Sequence, residues 1–111
     1  MNWHFLSMYG MGGHTTDPGE DYFVANVKKQ IPGILTHNSP YSDRQVYELA
    51  AFIDKLPPED GVFVAGTSLG ANNAPITAGQ TKHRIDGVFG FQASLYGAHS
   101  SLTKNVLFAH L

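Results

Sequence analysis

The sequence predicts an α/β fold with three layers, in which a mostly parallel sheet of about five strands carries helices on both faces. Apolar runs bounded by glycine, proline or asparagine alternate along the chain with stretches whose apolar residues recur at helical spacing. One run, V-F-V-A at 62–65, is apolar throughout, which is typical of a parallel strand buried on both faces. A single helix between two strands returns the chain to the end of the sheet where the first strand began, by a right-handed crossover. We therefore expect neighbouring strands to run parallel.

The first third of the chain predicts a strand, a glycine loop and a helix. Residues 3–9 are aromatic and apolar, which favours a strand, and the sequence G-M-G-G at 10–13 then requires a tight turn or loop. Asp17 is suited to cap a helix that has Pro18 at its first position. The dipeptide P-G at 32–33 ends this helix.

A second strand over residues 34–37 is followed by a second helix. Ser42 and Gln45 have the spacing of a capping box, in which both side chains bond to the backbone at the start of the helix. Apolar residues continue at helical spacing over residues 46–56, so the helix is amphipathic.

The second half of the chain predicts one helix and three strands. The apolar strand at 62–65 leads into a helix of small residues over 68–78, whose regularity Pro75 limits. Two further strands are predicted over residues 85–91 and 105–111.

The composition predicts a single globular domain over residues 1–111. Hydrophobic residues make up 42% of the chain and charged residues 14%, which argues against intrinsic disorder. A net charge of −2, with scattered basic residues, gives no electrostatic basis for binding nucleic acid. The chain has no cysteine, which excludes disulfides and thiolate metal sites.

Targeting and cofactor signals are also missing from the sequence. The apolar runs are too short for a membrane span, and the first residues lack the basic start and apolar stretch of a secretion signal. We therefore expect a cytoplasmic protein. No histidine pair has zinc-binding spacing, so we expect neither a metal nor a cofactor.

The sharpest functional motif is G-T-S-L-G at 66–70, a G-x-S-x-G sequence that follows the apolar strand and opens the third helix. Ser68 would stand at the apex of a sharp strand-to-helix turn, where Gly66 and Gly70 avoid side-chain clashes. Backbone N–H groups at the start of the helix would stabilise a developing oxyanion. The alternative is that Ser68 only caps the helix.

These features resemble the α/β-hydrolase fold of lipase- and esterase-type serine hydrolases. The sequence V-F-V-A-G-T-S-L-G-A at 62–71 is similar to the strand and nucleophile turn of that family. The sequence Y-G-M-G-G at 9–13 is similar to the family's glycine loop after an earlier strand. The resemblance covers residues 5–91 and, more weakly, 105–111, and it implies a reduced α/β-hydrolase core.

The same resemblance implies roles for individual residues. Ser68 matches the nucleophile, and the backbone N–H of Leu69 matches the first donor of the oxyanion hole. Met11, with Gly12 as the alternative, matches the second donor.

The rest of the catalytic triad has no full match in the sequence. In the family the acid follows a strand after the nucleophile, and the histidine follows the last strand. No aspartate or glutamate follows Asp86, which begins its own strand, so we expect this chain to lack the family's C-terminal acid and histidine segments. His110 in the last strand, or His99 in the loop before it, is then the candidate base.

The predicted function is that of a serine hydrolase acting on a small-molecule ester or related acyl compound. One alternative is a non-catalytic binding or assembly module on a reduced hydrolase core, which would form a homo-oligomer through exposed sheet edges. Another is a phosphate- or nucleotide-binding α/β domain that uses the glycine loop at 10–13.

Overall fold

The computed structural model describes residues 1–11, 18–91 and 107–110. The elements follow in the chain order β1 (Trp3–Met8), α1 (Pro18–Gln30), β2 (Leu35–Ser39), α2 (Gln45–Asp54), β3 (Gly61–Thr67), α3 (Leu69–Gln80), β4 (Gly87–Phe91) and β5 (Leu107–His110). The strands lie in the order β2-β1-β3-β4-β5, and each pairs in parallel with its neighbours. The α/β class and the parallel sheet are confirmed.

Strand β3 lies in the middle of the sheet, between β1 and β4. Val62 and Val64 are fully buried on one face of the strand, and Ala65 is buried on the other. The prediction of a buried parallel strand at this position is confirmed. The strand continues to Thr67, so that it ends directly before Ser68.

Two clusters of apolar side chains attach the helices to the sheet. The larger cluster joins α2 and α3 to the strands through Leu6, Met8, Leu49, Ile53, Val62, Val64, Ala74, Ala78, Ile85 and Val88. The smaller cluster includes α1 and comprises Phe5, Ile34 and Ala65 with the half-buried Val27, Phe63 and Phe89. Because side chains alternate along a strand, Leu6 and Phe5 of β1 serve different clusters.

The start of α2 differs from the sequence prediction. The helix begins at Gln45, with Arg44 as the N-cap and no capping bond from that side chain. The Ser42 hydroxyl accepts a hydrogen bond from the Arg44 N–H at 3.3 Å. The capping-box prediction is wrong because the Gln45 side chain turns into the protein, where it is only 2% exposed.

Candidate active site

Ser68 occupies the junction between β3 and α3 in a strained backbone conformation. Its φ is 55° and its ψ is −123°, and within the described part of the chain it is the only non-glycine residue with a positive φ. Such a conformation costs about 1–3 kcal/mol in a residue that carries a Cβ. The side chain is exposed and makes no capping hydrogen bond to α3, so a role as helix cap does not explain the strain.

Gly66 and Gly70 allow α3 to approach the sheet closely. A Cβ on Gly66 would lie 2.1 Å from the carbonyl oxygen of Gly70. A Cβ on Gly70 would lie 2.1 Å from the carbonyl oxygen of Met8. In a close-packed interior neither position can accept a side chain without backbone movement, which confirms the predicted reason for both glycines.

The end of β1 lies directly beside the Ser68 turn. A Cβ on Gly10 would be 3.0 Å from the backbone nitrogen of Leu69 and 3.0 Å from the Cβ of Ser68. Met11 follows in a turn, with 72% of its surface exposed. The first residues of the glycine loop and the start of α3 therefore meet at one place, whereas Gly12 lies outside the described residues.

The start of α3 presents backbone donors next to Ser68. The Ala71 N–H donates to the Ser68 carbonyl oxygen at 3.0 Å. The N–H groups of Leu69 and Gly70 come before this bond, at a position where a helix has no internal acceptor for them. These donors and the positive end of the helix dipole can stabilise a negative charge that develops beside Ser68.

A buried amide links the segments around the Ser68 turn, and the sequence alone does not predict it. The Gln45 Nε2 group donates to the carbonyl oxygens of Tyr9 at 3.1 Å and Ser39 at 2.9 Å. Its Oε1 atom accepts a hydrogen bond from Asn73 Nδ2 at 2.9 Å. The only sequence signal was misleading, since the spacing of Ser42 and Gln45 indicates a capping box.

The two predicted bases are placed to different extents. His99 lies outside the described residues. His110 is the last residue of β5, and its register partner on β4 is Gly90, which pairs in turn with Gly66 on β3. The His110 backbone is therefore level with Gly66 and two strands away, a separation of about 10 Å.

His83 and Asp86 lie at the opposite edge of the sheet from Ser68. The ring nitrogens of His83 face the carbonyl oxygens of Arg84 at 2.7 Å and Pro57 at 2.9 Å. Asp86 accepts a hydrogen bond from the Val62 N–H at 2.8 Å, near the start of β3. The prediction that both residues are remote from Ser68 is confirmed, and their contacts stabilise the amino ends of β3 and β4.

A hydrogen-bonded chain of Asp60, His4 and His37 is a second feature that the sequence does not predict. His4 Nε2 lies 2.8 Å from Asp60 Oδ2, and His4 Nδ1 lies 3.0 Å from His37 Nε2. Hydrogen bonds from the Asn2 N–H and from His4 lower the pKa of the Asp60 carboxyl, against the effect of burial. Burial and the neighbouring His4 lower the pKa of His37.

This histidine chain is separate from the Ser68 turn. His37 is opposite Leu6 on β1, and Leu6 is opposite Val64 on β3. His37 is thus four residues short of Ser68 along the strand direction, about 13 Å, and two strands across, about 10 Å. His37 lies within β2, which continues to Ser39, whereas the sequence predicts a strand over 34–37 that ends at His37.

Neither a metal site nor a membrane helix is found in residues 1–11, 18–91 and 107–110. No group of three or more histidine, cysteine, aspartate or glutamate side chains there is arranged to hold a metal ion. No helix in these ranges combines the length and the apolar character needed to cross a bilayer.

Comparison of the sequence with models of known protein families gives no match, and comparison with curated proteins gives none either. The chemistry of the site must therefore be inferred from the geometry of the Ser68 turn.

Proposed function

We propose that the protein is a serine hydrolase of the α/β-hydrolase type, in which Ser68 attacks a small-molecule ester or related acyl compound. The observation that carries the proposal is the positive φ of Ser68 at an exposed strand-to-helix turn. Residues other than glycine keep such strain mainly at functional sites. The G-x-S-x-G sequence around Ser68 and the neighbouring glycine loop support the same function.

In the proposed reaction, the Ser68 hydroxyl loses its proton to a base and its oxygen bonds to the substrate carbonyl carbon. The carbonyl oxygen gains negative charge and accepts hydrogen bonds from the N–H groups of Leu69 and Met11, each worth about 3 kcal/mol in the transition state. The alcohol leaves with a proton from the base, and water then hydrolyses the acyl-serine by the reverse proton transfers.

For the base we propose His110 or His99. The register of β5 supports His110, because its backbone is level with Gly66 at the end of the sheet where Ser68 lies. A histidine is suited to both proton transfers because its ordinary pKa lies close to neutral pH.

We further propose a three-layered, reduced hydrolase core with about five strands and helices on both sheet faces. The two apolar clusters support this arrangement. Val27 of α1 packs in the smaller cluster with Phe5, whereas Leu49 of α2 and Ala74 of α3 pack in the larger cluster with Leu6. Since Phe5 and Leu6 point to opposite faces of β1, the two clusters would lie on opposite sides of the sheet.

The test is intact-mass analysis after exposure to a fluorophosphonate probe, which reacts with activated serines. We expect one adduct on the native protein, none on Ser68→Ala, and an undiminished adduct on Ser42→Ala. Ser42 is a matched control because it is also exposed at the start of a helix. Hydrolysis of a p-nitrophenyl ester should disappear in Ser68→Ala, and hydrolysis that survives this substitution contradicts the assignment.

The non-catalytic assembly module is the second candidate, and the edge strand β2 favours it. Among the described strands β2 has a partner on one side only, and Leu35 within it is 42% exposed. Exposed strand edges pair readily with other chains. A folded protein that gives no adduct and sediments as an oligomer would support this candidate over the hydrolase.

A further inference from the structure

The buried amide of Gln45 connects three segments that surround the Ser68 turn. Tyr9 directly precedes the glycine loop, Ser39 ends β2, and Asn73 lies in α3, one helical turn after Leu69. The Gln45 side chain is within hydrogen-bond distance of all three, at 2.9–3.1 Å. The Gln45 side chain is only 2% exposed.

The chemistry of the contacts determines the orientation of the Gln45 amide. The two protons on Nε2 match the two carbonyl acceptors, Tyr9 and Ser39, and Oε1 matches the donor on Asn73. The opposite orientation would place an oxygen against two carbonyl oxygens. A buried polar group with all its bonds made rigidifies the segments that it joins.

A backbone bond completes the link between β1 and β2. The Tyr9 N–H donates to the Ser39 carbonyl oxygen at 2.9 Å, so Ser39 accepts from both Tyr9 and Gln45. These hydrogen bonds fix the carboxyl end of β1 relative to β2 on one side and to α3 on the other. Met11 follows Tyr9 by two residues, and Leu69 precedes Asn73 by four. Both proposed oxyanion donors are therefore close in sequence to a residue that the Gln45 amide binds.

We infer that Gln45 is a positioning residue, whose amide holds the glycine loop against the start of α3 so that the N–H groups of Met11 and Leu69 point to one oxyanion. This inference rests on the proposed function. It assigns Gln45 no contact with substrate, because its side chain is buried and only 2% exposed. Displacement of a catalytic group by about 1 Å can reduce a rate about 100-fold, so a lost brace should affect the reaction strongly.

The test compares Gln45→Met, which removes the amide but keeps the length of the side chain, with the control Thr81→Val. Thr81 is also 2% exposed, and its hydroxyl donates a hydrogen bond to Asp54. This bond joins the carboxyl ends of α2 and α3, far from Ser68. We expect the fluorophosphonate labelling rate and kcat for a p-nitrophenyl ester to fall by about tenfold or more in Gln45→Met, with KM within about twofold. Thr81→Val should leave all three within about twofold of the native values.

Hydrogen exchange followed by mass spectrometry gives a readout that needs no activity. Gln45→Met should accelerate exchange at residues 8–11 and 68–71, whereas Thr81→Val should not. Unchanged exchange at both segments in Gln45→Met overturns the inference, even if the native protein is labelled at Ser68 as expected. If the native protein gives no adduct at all, the proposed function fails, and the exchange data still decide whether Gln45 braces the loop.

A second variant covers the case in which Gln45→Met does not fold. Asn73→Ala removes only the donor from α3 and leaves both carbonyl contacts of Gln45 in place. Relative to the native protein, we expect exchange to accelerate more at 68–71 than at 8–11. The labelling rate should fall by about two- to fivefold, which is less than in Gln45→Met. Native exchange and native labelling in Asn73→Ala would contradict the bracing role.

Discussion

At the scale of single residues, Ser68 carries strain that its own contacts do not explain. The helix after it receives no capping bond from the side chain, yet the backbone adopts a φ of 55°. Strain of this kind persists only where the surrounding structure imposes it. Close packing at Gly10, Gly66 and Gly70 forms those surroundings, because a Cβ added at any of the three would lie within 3.0 Å of a neighbouring atom.

The strain predicts an unusual order of stability among variants of Ser68. Ser68→Gly should be about 1 kcal/mol more stable than Ser68→Ala, because glycine adopts this conformation without the Cβ penalty. Both variants lack the hydroxyl, so the comparison isolates the backbone effect. Urea denaturation followed by circular dichroism measures the difference, and equal stabilities would mean that Ser68 is not strained in solution.

The close approach at Gly66 predicts a second effect on stability. Gly66→Ala should destabilise the fold by about 3 kcal/mol, since the new Cβ would overlap the Gly70 carbonyl and force the helix outward. Gly33→Ala is the matched control, because Gly33 has a φ of 89° but nothing within 4 Å of an added Cβ. That variant should lose only about 1–2 kcal/mol from backbone strain. A smaller loss in Gly66→Ala than in Gly33→Ala, measured by thermal unfolding, would contradict the packing argument.

At the scale of elements, the chain Asp60–His4–His37 ties β2 to β1 and to the segment before β3. Asp60 and His4 are almost fully buried, and His37 packs edge-to-face against Phe52 of α2 with ring centroids 4.8 Å apart. The hydrogen bond between the imidazoles needs one ring nitrogen without a proton.

This chain predicts a loss of stability on acidification. The pKa of His37 is below its ordinary value of 6.5 in the folded state, so the unfolded chain binds the proton more readily. The stabilisation is complete above that pH and is lost as the pH falls below it. The lowered pKa of Asp60 adds a second loss below its ordinary value of 3.8.

Urea denaturation at about pH 7.5 and about pH 5.5 tests the first loss, because these values lie on either side of the ordinary histidine pKa. The free energy of unfolding of the native protein should be smaller at the lower pH. In His37→Gln this difference should shrink, since the group with the lowered pKa is absent. The same pH dependence in both proteins would show that His37 does not titrate as its surroundings predict.

Local patterns were sufficient to predict most elements over residues 1–91. The apolar run at 62–65 and the helical spacing around Leu49 and Ile53 depend only on neighbouring residues, and both features are confirmed. The start of α2 was predicted wrongly because Gln45 bonds to residues far away in sequence. A spacing rule cannot distinguish a glutamine that caps its helix from one that turns inward.

At the scale of the whole molecule, the position of Ser68 was predictable from the sequence, whereas the hydrogen bonds that hold the segments around it were not. The motif at 66–70 and the order of elements predict a turn at the end of the middle strand, and the structure places Ser68 there. The hydrogen bonds of Gln45 and those between Asp60 and His4 join residues that are far apart in sequence, so they depend on how the strands and helices pack together. For His4 only one hint exists, since it alternates with Leu6 and Met8 on the core face of β1.

The two apolar clusters differ in how tightly they are packed. Members of the larger cluster, such as Leu6 and Val64, are fully buried. Beside the smaller cluster lies a cavity of about 370 Å³ between α1 and the strands, lined by Phe5, Asn26, Val27, Gln30, Ile31, Ile34, Phe63 and Phe89. Among the side chains that the structure describes, those of α2 and α3 therefore pack more closely against the sheet than those of α1.

This asymmetry predicts unequal losses for the same substitution on α1 and in the middle of the sheet. Val64→Ala should destabilise the protein by about 2–3 kcal/mol, because a fully buried side chain leaves a void when it is shortened. Val27→Ala should lose less than about 1 kcal/mol, since Val27 already borders the cavity and alanine favours the helix. Trp3, the single tryptophan, stacks on Phe63 at 5.4 Å and reports unfolding by fluorescence. Equal losses in the two variants would mean that α1 is packed against the sheet as firmly as α2 and α3.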